Sequence, residues 1–451
     1  MTRITRSPAR ILAALALLAT APAAAQEGPL DPLVREAVRN NLGLRQERLE
    51  DARSEAAVRQ ARGLYLPSVA LDARYSRTSG VLDIGELVNP AYAALNQLTR
   101  SDAFPTDVDA RLPLAQETKL RLTQPLFQPA VRENHRLART LRGLQGAELA
   151  AATRRLAADV QGAYLAHASA ARVVETYRAT LPLLDENLRV NERLVAHGRA
   201  TSEGVYRARA ERSGTLQELA EAEARRDAAA RGLNFLLGRP LDAAVQVLPD
   251  SALDARPDVP LEEALRTALA RREELAQADF GIRAAESQGR LARASGLPGV
   301  SLAVDYGVQG QRYRFGADDD FAVASLVLQW SVFNGGQDAA RSQAARLDAE
   351  RARARRTELE RAVEMQVRGA WEAAATARAA RAAADDRLAA ARRTFELVSR
   401  RWEEGIAPHI EFVDARTAYT AARLNAVLTL YDHALRRVEL ERAAALRELE
   451  S

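Results

Sequence analysis

The chain has 451 residues and no cysteine, and its 64 Lys and Arg residues against 60 Asp and Glu residues give a formal net charge of +4. The absence of cysteine excludes a disulfide framework and a thiolate metal site. The small net charge, without a basic stripe that carries interleaved aromatic residues, argues against nucleic-acid binding.

The first 25 residues have the features of a secretory signal peptide. Arginines precede an apolar run from Ile11 to Ala19, and the alanines from Ala23 to Ala25 offer a cleavage site before Gln26. This run is far shorter than the roughly 20 residues of a membrane-spanning helix. We therefore expect residues 1–25 to be removed and the mature chain to begin at Gln26.

A first structural unit is predicted over residues 26–240, beginning with a helix. Two strands follow, at 66–79 and 117–127, because apolar residues there occupy every second position. In the first of these strands the apolar positions are Val69, Leu71, Ala73 and Tyr75. A strand of this kind has one apolar face and one polar face, so its two faces meet different environments.

The segment between these strands interrupts the pattern. Within about 77–118 it is rich in glycine, proline, asparagine and aspartate, and these residues predict a long loop. No comparable insertion occurs in the second half of the chain. We expect residues 80–115 to form an extracellular loop.

A long helical hairpin is predicted at 130–237. Only Pro182 interrupts the helical pattern before Gly198, so a continuous helix would be roughly 100 Å long at 1.5 Å per residue. The chain then turns and returns to the ending LNFLLGRPL, where Gly238 is a candidate C-cap. A compact globular core is not that tall.

The second half of the chain repeats this order after a linker at 241–260. A second unit is predicted over 261–451, with strands at 297–313 and 321–333 and a helical hairpin at 336–446. The segment LPSVALDARYS of the first unit is echoed by LPGVSLAVDYG, and the turn at Gly198 is echoed at Gly405. A repeated order of elements at nearly fixed spacing indicates one structural unit used twice.

The four predicted strands need a surface for their apolar faces. In a soluble sheet that surface is a core, and in an outer-membrane barrel it is lipid while the polar face lines water. The predicted helices are polar and offer little apolar surface to cover the strands. Four strands cannot close a barrel alone, and open edges are not tolerated in lipid, so several chains must complete one barrel.

These features together carry a family resemblance. The signal peptide, the two rounds of helix, strand, strand, long helix and return helix, the LLG-x-P ending at Leu236 to Pro240, and the turns at Gly198 and Gly405 occur in a specific order. In that order and spacing the chain resembles the TolC-type outer-membrane efflux proteins over almost its whole mature length. It lacks the cysteine for an N-terminal lipid and so resembles the unlipidated branch.

The resemblance implies a fold that is mainly α with a membrane β-barrel portion. Each protomer of a homotrimer would give four strands to a shared twelve-stranded barrel, above a periplasmic tunnel of long antiparallel helical hairpins. The implied function is a passive outer-membrane channel of a tripartite efflux or type I secretion system. A periplasmic adaptor protein would open the tunnel tip, an inner-membrane transporter would supply energy, and outer-membrane lipid would surround the barrel.

The resemblance carries over to a few positions near the hairpin ends. It implies a periplasmic gate at Glu411 and Asp414, where acidic residues narrow the entrance in the family. The first hairpin departs from the pattern with Gly204, where the family position is often acidic, and Ala407 stands where some relatives have a gating arginine. The adaptor would dock at the hairpin tips, which comprise Gly198, Arg199, Ala200, Thr201, Gly405, Ile406, Ala407 and Pro408.

No pattern in the sequence indicates an enzyme, a cofactor or a bound metal. The five histidines are scattered, without the spacing of metal ligands, and no phosphate-binding loop or nucleophile motif occurs. A soluble periplasmic coiled-coil scaffold remains the alternative, although it would not explain the strands. The sequence leaves open whether the exported substrate is a drug, a metal or a protein.

Overall fold

A computed structural model describes residues 28–77, 82–108, 111–112, 115–254, 259–310 and 319–447. The predicted signal peptide lies outside these ranges. The helices are α1 (Asp31–Asn40), α2 (Leu42–Gly63), α3 (Ile84–Thr99), α4 (Pro129–Ala196), α5 (Glu203–Leu237), α6 (Leu261–Arg271), α7 (Glu273–Ala294), α8 (Gln337–Glu403) and α9 (His409–Ala443). The strands are β1 (Ser68–Tyr75), β2 (Leu82–Asp83), β3 (Arg111–Leu112), β4 (Gln116–Phe127), β5 (Gly299–Gly310) and β6 (Asp320–Gln329).

Two very long helices dominate the molecule. Helix α4 has 68 residues and α8 has 67, so each is about 100 Å long at 1.5 Å per residue. Pro182 lies inside α4 without ending it. The helix is held on both sides of this proline by packing, since Thr180 and Leu184 are both buried. The predicted long helical hairpins are confirmed.

The four longer strands form one antiparallel sheet in the order β1, β4, β5, β6. Its register pairs Leu71 with Leu120 and Leu120 with Tyr306, so the apolar positions of neighbouring strands share one face. That face is bare in the single chain: Leu71 is 68% exposed and Leu326 is 70% exposed. No described helix packs against this face, so the apolar face is left for contact with another apolar phase.

The opposite face of the sheet carries a ladder of charged pairs. The guanidinium of Arg121 donates two hydrogen bonds to the Asp305 carboxylate, each 2.8 Å long. Lys119, the only lysine of the chain, lies 3.3 Å from Asp305, and Arg74 lies 3.1 Å from Glu117. This alternation of a charged face and an apolar face is typical of a barrel strand between water and lipid.

The sheet sets the order of the helices beneath it. In the half of the helical region next to the sheet, α2 packs on α4, α4 on α7, and α7 on α8. In the half that carries the hairpin ends, α5 packs on α4, α4 on α9, and α9 on α8. None of the described helices is long and apolar enough to cross a membrane.

The linker at 241–260, which joins the two predicted structural units, is bonded to the long helices near their middle. The backbone N–H of Leu248 donates to the Tyr164 hydroxyl at 2.7 Å, and the Tyr431 hydroxyl bonds Asp250 at 2.9 Å. On the other side, the Trp371 indole donates to the Val259 carbonyl at 3.0 Å. Two hydrophobic clusters lie at this level, one around α1, α4, α5 and α9 and one around α6, α8 and the end of α9.

The insertion within 77–118 is not the long loop that its turn-forming residues predict. It contains the 16-residue helix α3, whose first turn is capped by the Asp83 side chain accepting a 2.8 Å hydrogen bond from the Gly85 N–H. Pro90 lies within this helix. The short strands β2 and β3 pair at its base.

Two asparagines explain why the prediction for this insertion was wrong. The Asn89 side chain both donates to and accepts from the backbone of Val108, at 3.0 and 2.9 Å. Asn96 does the same with the backbone of Phe104, at 2.7 and 3.0 Å. Residues that are common in turns therefore lie on a helix here and hold the returning segment against it.

Candidate functional site

The two helical hairpins end in the same turn. In the first, the Gly198 N–H bonds the Val195 carbonyl at 2.9 Å and the Arg199 N–H bonds the Leu194 carbonyl at 2.8 Å. In the second, Gly405 bonds the Trp402 carbonyl at 2.9 Å, and the next residue bonds back to Arg401 at 2.7 Å. This is the Schellman arrangement, and it explains the glycines because both adopt φ angles, +70° and +75°, that other residues avoid.

The predicted docking residues of the tips are mostly exposed. Arg199, Ala200 and Thr201 project from the first turn, and Ile406 is 63% exposed at the second. Ala407 differs from this expectation, because only 7% of its surface is exposed. Its small side chain packs inward where the chain enters α9, so Ile406 presents the main apolar surface of the second tip.

The predicted gate acids lie in the first turns of α9. Glu411 is three residues from the Pro408 cap, where the helix dipole favours a negative charge. Its carboxylate lies 3.7 Å from the Arg401 guanidinium at the end of α8. Asp414 is exposed and forms no ion pair within the described ranges. The two acids therefore differ, since among the described residues Glu411 has an ion-pair partner and Asp414 has none.

The face of α9 opposite these acids carries a cluster of aromatic rings. Phe412 stacks on Trp402 with ring centroids 4.5 Å apart, and Tyr419 stacks on Phe395 at 5.4 Å. His409 lies 6.0 Å from Trp402. Such pairs contribute roughly 0.5–1.5 kcal/mol each beyond their buried area. They hold the last turns of α8 and the first turns of α9 together.

A buried polar contact joins the second hairpin to the first near the same end. Arg416 of α9 is only 1% exposed and forms an ion pair with Glu211 of α5. One ring nitrogen of His409 lies 3.4 Å from the Asn191 amide of α4. Burial of the imidazole lowers the pKa of His409, and the nearby Arg416 guanidinium lowers it further.

Gly204 has a steric role at this contact. A Cβ atom at this position would lie 2.7 Å from the Asn191 side-chain oxygen, so a larger residue here would require the Asn191 amide to shift. Charged pairs on the exposed surface join the same two helices, Glu192 with Arg209 at 3.3 Å among them.

Sequence reasoning missed the contacts between the hairpins. The signal that it could have used is the spacing of His409, Phe412, Arg416 and Tyr419, which lie on one stripe of α9 at helical intervals. The partners of these residues could not be predicted from the sequence, because Glu211 is 205 residues away from Arg416 in the chain.

Comparison with known families gives a match over most of the chain. A family model described as outer membrane efflux protein matches residues 33–239 and 264–446. Protein CyaE of Bordetella pertussis (strain Tohama I) is 30% identical over 174 residues, which are 38% of this chain and 36% of CyaE. The match therefore spans about a third of the length of that curated relative.

Solved structures give a match over nearly all of the chain. A membrane protein from Pseudomonas aeruginosa superposes with a TM-score of 0.75 at 21% identity, covering 92% of this chain and 93% of the other. The Campylobacter jejuni CmeC outer membrane channel superposes with a TM-score of 0.77 at 16% identity, over 92% and 85% of the two chains. The Neisseria gonorrhoeae MtrE outer membrane channel in its open state gives 0.73 at 18% identity, over 92% and 88%. At these identities the likeness establishes the fold.

Proposed function

The chain belongs to the outer membrane efflux protein family, and from this premise we propose that it forms the outer-membrane channel of a tripartite efflux or type I secretion system. It acts as a passive duct that crosses the outer membrane and extends far into the periplasm. The observation that carries this proposal is the sheet with one bare apolar face and one charged face, continuous with helices about 100 Å long.

The four-stranded sheet supports a homotrimer. An open edge in lipid leaves backbone groups without partners, so the edges of β1 and β6 must pair with other chains. Three copies give a closed barrel of twelve strands, and the charged faces then line a common aqueous channel. The exposed apolar residues, Leu71 and Leu326 among them, face lipid.

The hairpin ends support docking of a periplasmic adaptor that couples the channel to an inner-membrane transporter. Ile406 and the polar residues beside Gly198 project from two similar turns. Two equivalent turns per chain give six similar sites in a trimer. An adaptor that binds there can apply force to the ends of long rigid helices, which opens the entrance without chemistry in the channel itself.

The sheet also indicates which side of each helix faces the channel axis. The Gln309 side chain is on the charged face, and the backbone N–H of Gln309 donates to the backbone carbonyl of Asp319, just before β6, at 3.0 Å. Strand β5 follows α7 and therefore runs away from the tunnel. In an upward strand of L-amino acids, a residue whose side chain points at the viewer directs its backbone N–H to the viewer's right. Seen from the axis with the tunnel below, β6 is therefore to the right of β5. Seen from the same viewpoint, the helices at the hairpin ends lie from left to right in the order α5, α4, α9, α8.

This order supports an axial position for the predicted gate acids. Phe412 and Arg416 occupy the packed side of α9, so Glu411 and Asp414, on its opposite side, turn toward the axis. Three protomers then bring six carboxylates around the entrance, where they concentrate cations and repel anions. Because Arg401 partly neutralises Glu411, Asp414 contributes more of the unscreened charge.

Planar-bilayer recordings test this gate. The double variant Glu411→Ala, Asp414→Ala should lower the cation-to-anion permeability ratio several-fold, and Asp414→Ala alone should produce most of the change. A matched control removes two exposed acids of α5, Glu218 and Glu221, and should leave the ratio unchanged. An unaltered ratio in the double variant would show that the two acids only start the helix.

The channel itself is tested by fractionation and mass. The mature protein should leave the outer membrane only with detergent, and it should then have the mass of three chains in light scattering. A protein that appears in the soluble periplasmic fraction would favour the coiled-coil scaffold instead.

A further inference from the structure

Helix α3, in the insertion between β1 and β4, carries an apolar face that nothing in its own chain covers among the described residues. Leu87 is 80% exposed and Leu98 is 81% exposed. These leucines are three turns apart and point within about 20° of each other at 3.6 residues per turn. The exposed apolar side of α3, here named the bare stripe, consists of Leu87, Pro90, Ala91, Ala94, Leu95 and Leu98. Contiguous apolar surface of this kind marks a contact with another apolar surface.

The opposite side of α3 is already occupied. Asn89 and Asn96 bind the returning segment 101–108 through two pairs of hydrogen bonds. The Tyr92 ring lies against the Phe104 ring, with centroids 5.6 Å apart. The polar side of the helix is therefore covered by its own chain, and the bare stripe is left for a partner.

The insertion lies at the end of the sheet that is remote from the long helices. Strand β1 follows α2 and leads away from it, and the Ser76 N–H continues the β1–β4 pairing with a 2.7 Å hydrogen bond to the Ala115 carbonyl. In the described part of the chain, α3 packs on β3 rather than along the longer strands. In the proposed barrel it therefore projects from the extracellular mouth. Because β1 is an edge strand, α3 rises beside the seam with the neighbouring protomer.

The handedness of the chain directs the bare stripe toward the neighbouring protomer and the axis. Seen from the axis with the tunnel below, the strands lie from left to right in the order β1, β4, β5, β6. The returning segment enters β3, on the β4 side, and is therefore to the right of α3. In a right-handed helix that rises from β2 with this segment on its right, Leu87 and Leu98 point left, toward the neighbouring protomer, and Leu95 points to the axis. The exposed polar residues Glu86 and Gln97 then point outward.

The mouth of the barrel has a width that three copies of α3 can cover. Twelve strands about 4.8 Å apart, tilted by about 40°, form a ring about 24 Å across. Three packed helices, each about 10 Å in diameter, span about 22 Å. Ala91 and Ala94 lie between the leucines of the bare stripe, and such small side chains allow close approach of a neighbouring chain.

Lipid is a poorer partner for the bare stripe. Helices that lie in a membrane interface carry Lys and Arg on their polar face. Helix α3 contains neither residue, and Glu86 is its only charged side chain. The side of α3 that faces away from the barrel is the one that carries Glu86 and Gln97, so the leucines are not turned toward the surrounding membrane.

We propose that the bare stripe binds the neighbouring copy of this chain, so that three α3 helices converge over the barrel and form an extracellular lid. In a three-fold ring, each copy presents its stripe to the next copy in the same sense. The lid restricts passage through the mouth until an exported substrate displaces the helices. This inference rests on the proposed function, because it requires the trimeric barrel.

Cysteine cross-linking in isolated outer membranes tests the lid, since the chain has no native cysteine. Side chains on converged helices are about 10 Å apart, whereas helices that stay at the rim of the ring are about 21 Å apart. A short bismaleimide that bridges only the smaller distance should join protomers of Leu98→Cys. The matched control is Gln97→Cys, which is also exposed but points about 100° away, and we expect it to give an about tenfold lower yield of cross-linked dimer.

Access to the channel from outside gives a second measurement. Ser325 pairs with Ala303 on the charged face of the sheet, so Ser325→Cys lines the proposed channel. A bulky maleimide added to intact cells should label this cysteine about fivefold faster when Leu87→Gln and Leu98→Gln are also present, because a buried amide without a partner weakens the lid. Glu86→Ala with Gln97→Ala, on the outward side of α3, should leave the rate unchanged.

Two outcomes would overturn the proposal. They are similar yields of dimer from Leu98→Cys and Gln97→Cys, and labelling of Ser325→Cys that the two glutamine substitutions do not accelerate. A trimer that conducts ions but shows either outcome would refute the lid and leave the proposed function intact. A protein that forms no trimer would instead refute the proposed function.

Discussion

Removing the charge of Glu211 should loosen the contact between the two hairpins near their periplasmic ends. The substitution Glu211→Gln leaves Arg416 buried and charged without its partner, and one nitrogen of that guanidinium already lacks a hydrogen bond. At an effective dielectric constant of about 20, two charges about 4 Å apart interact by about 4 kcal/mol. The Glu211 side chain is 30% exposed, so water compensates for part of this lost interaction. We therefore expect the contact between the hairpins to be weakened by about 2 kcal/mol.

Hydrogen exchange of the detergent-purified channel measures this loss locally. Since 1.4 kcal/mol is a factor of ten, amides in the first half of α9 and the facing part of α5 should exchange about 30-fold faster in Glu211→Gln. The substitution Arg416→Met should change exchange much less, because it removes the buried charge and keeps the volume. Exchange of α9 within threefold of the parent in Glu211→Gln, or equal acceleration by Arg416→Met, would refute this account of the buried pair.

Other expectations follow from single residues. Burial and the Arg416 guanidinium lower the pKa of His409. The contribution of His409 to stability is therefore complete above the unfolded pKa of about 6.5 and is lost as the pH falls through the lowered value. Fluorescence of the adjacent Trp402 should change on acidification, and His409→Gln should abolish that change. Gly307→Ala should impair barrel assembly, measured as the yield of detergent-extracted trimer, because a Cβ atom there would lie 2.2 Å from the Thr118 carbonyl, whereas Gly299→Ala meets only ordinary contacts. An epitope inserted after Arg100, the residue that follows α3, should be stained on intact cells, and staining only after permeabilisation would reverse the topology.

Local patterns in the sequence were sufficient for the main architecture. The period of two predicted the sheet, and the near absence of helix breakers predicted α4 and α8, because both signals depend on residues that are neighbours in the chain. The turns were predictable from Gly198 and Gly405, since a positive φ angle favours glycine. The family match and the structural likeness confirm the identification as an outer-membrane efflux protein.

The contacts that join distant segments were not predictable in this way. An arginine in a polar helix is expected to be solvated, yet Arg416 is buried because Glu211 approaches from another hairpin. Asn89 and Asn96 were misread because their preference for turns is a local average, whereas here each amide pairs with the backbone of the segment that returns after α3, 19 and 8 residues further along the chain. The roles of Glu411 and Asp414 at the gate, and of the tip residues in docking, stay predictions.

The hydrogen bond from Leu248 to the Tyr164 hydroxyl fixes α4 at a point well above its lower end. From Tyr164 to Ala196 the helix continues for about 48 Å at 1.5 Å per residue. A rod of this length works as a lever with its fulcrum at the linker, so a tilt of about 5° there carries the tip sideways by about 4 Å. In the proposed trimer, the same tilt in each protomer would widen the entrance by several ångströms, while the contacts at the linker would shift by a small fraction of that distance.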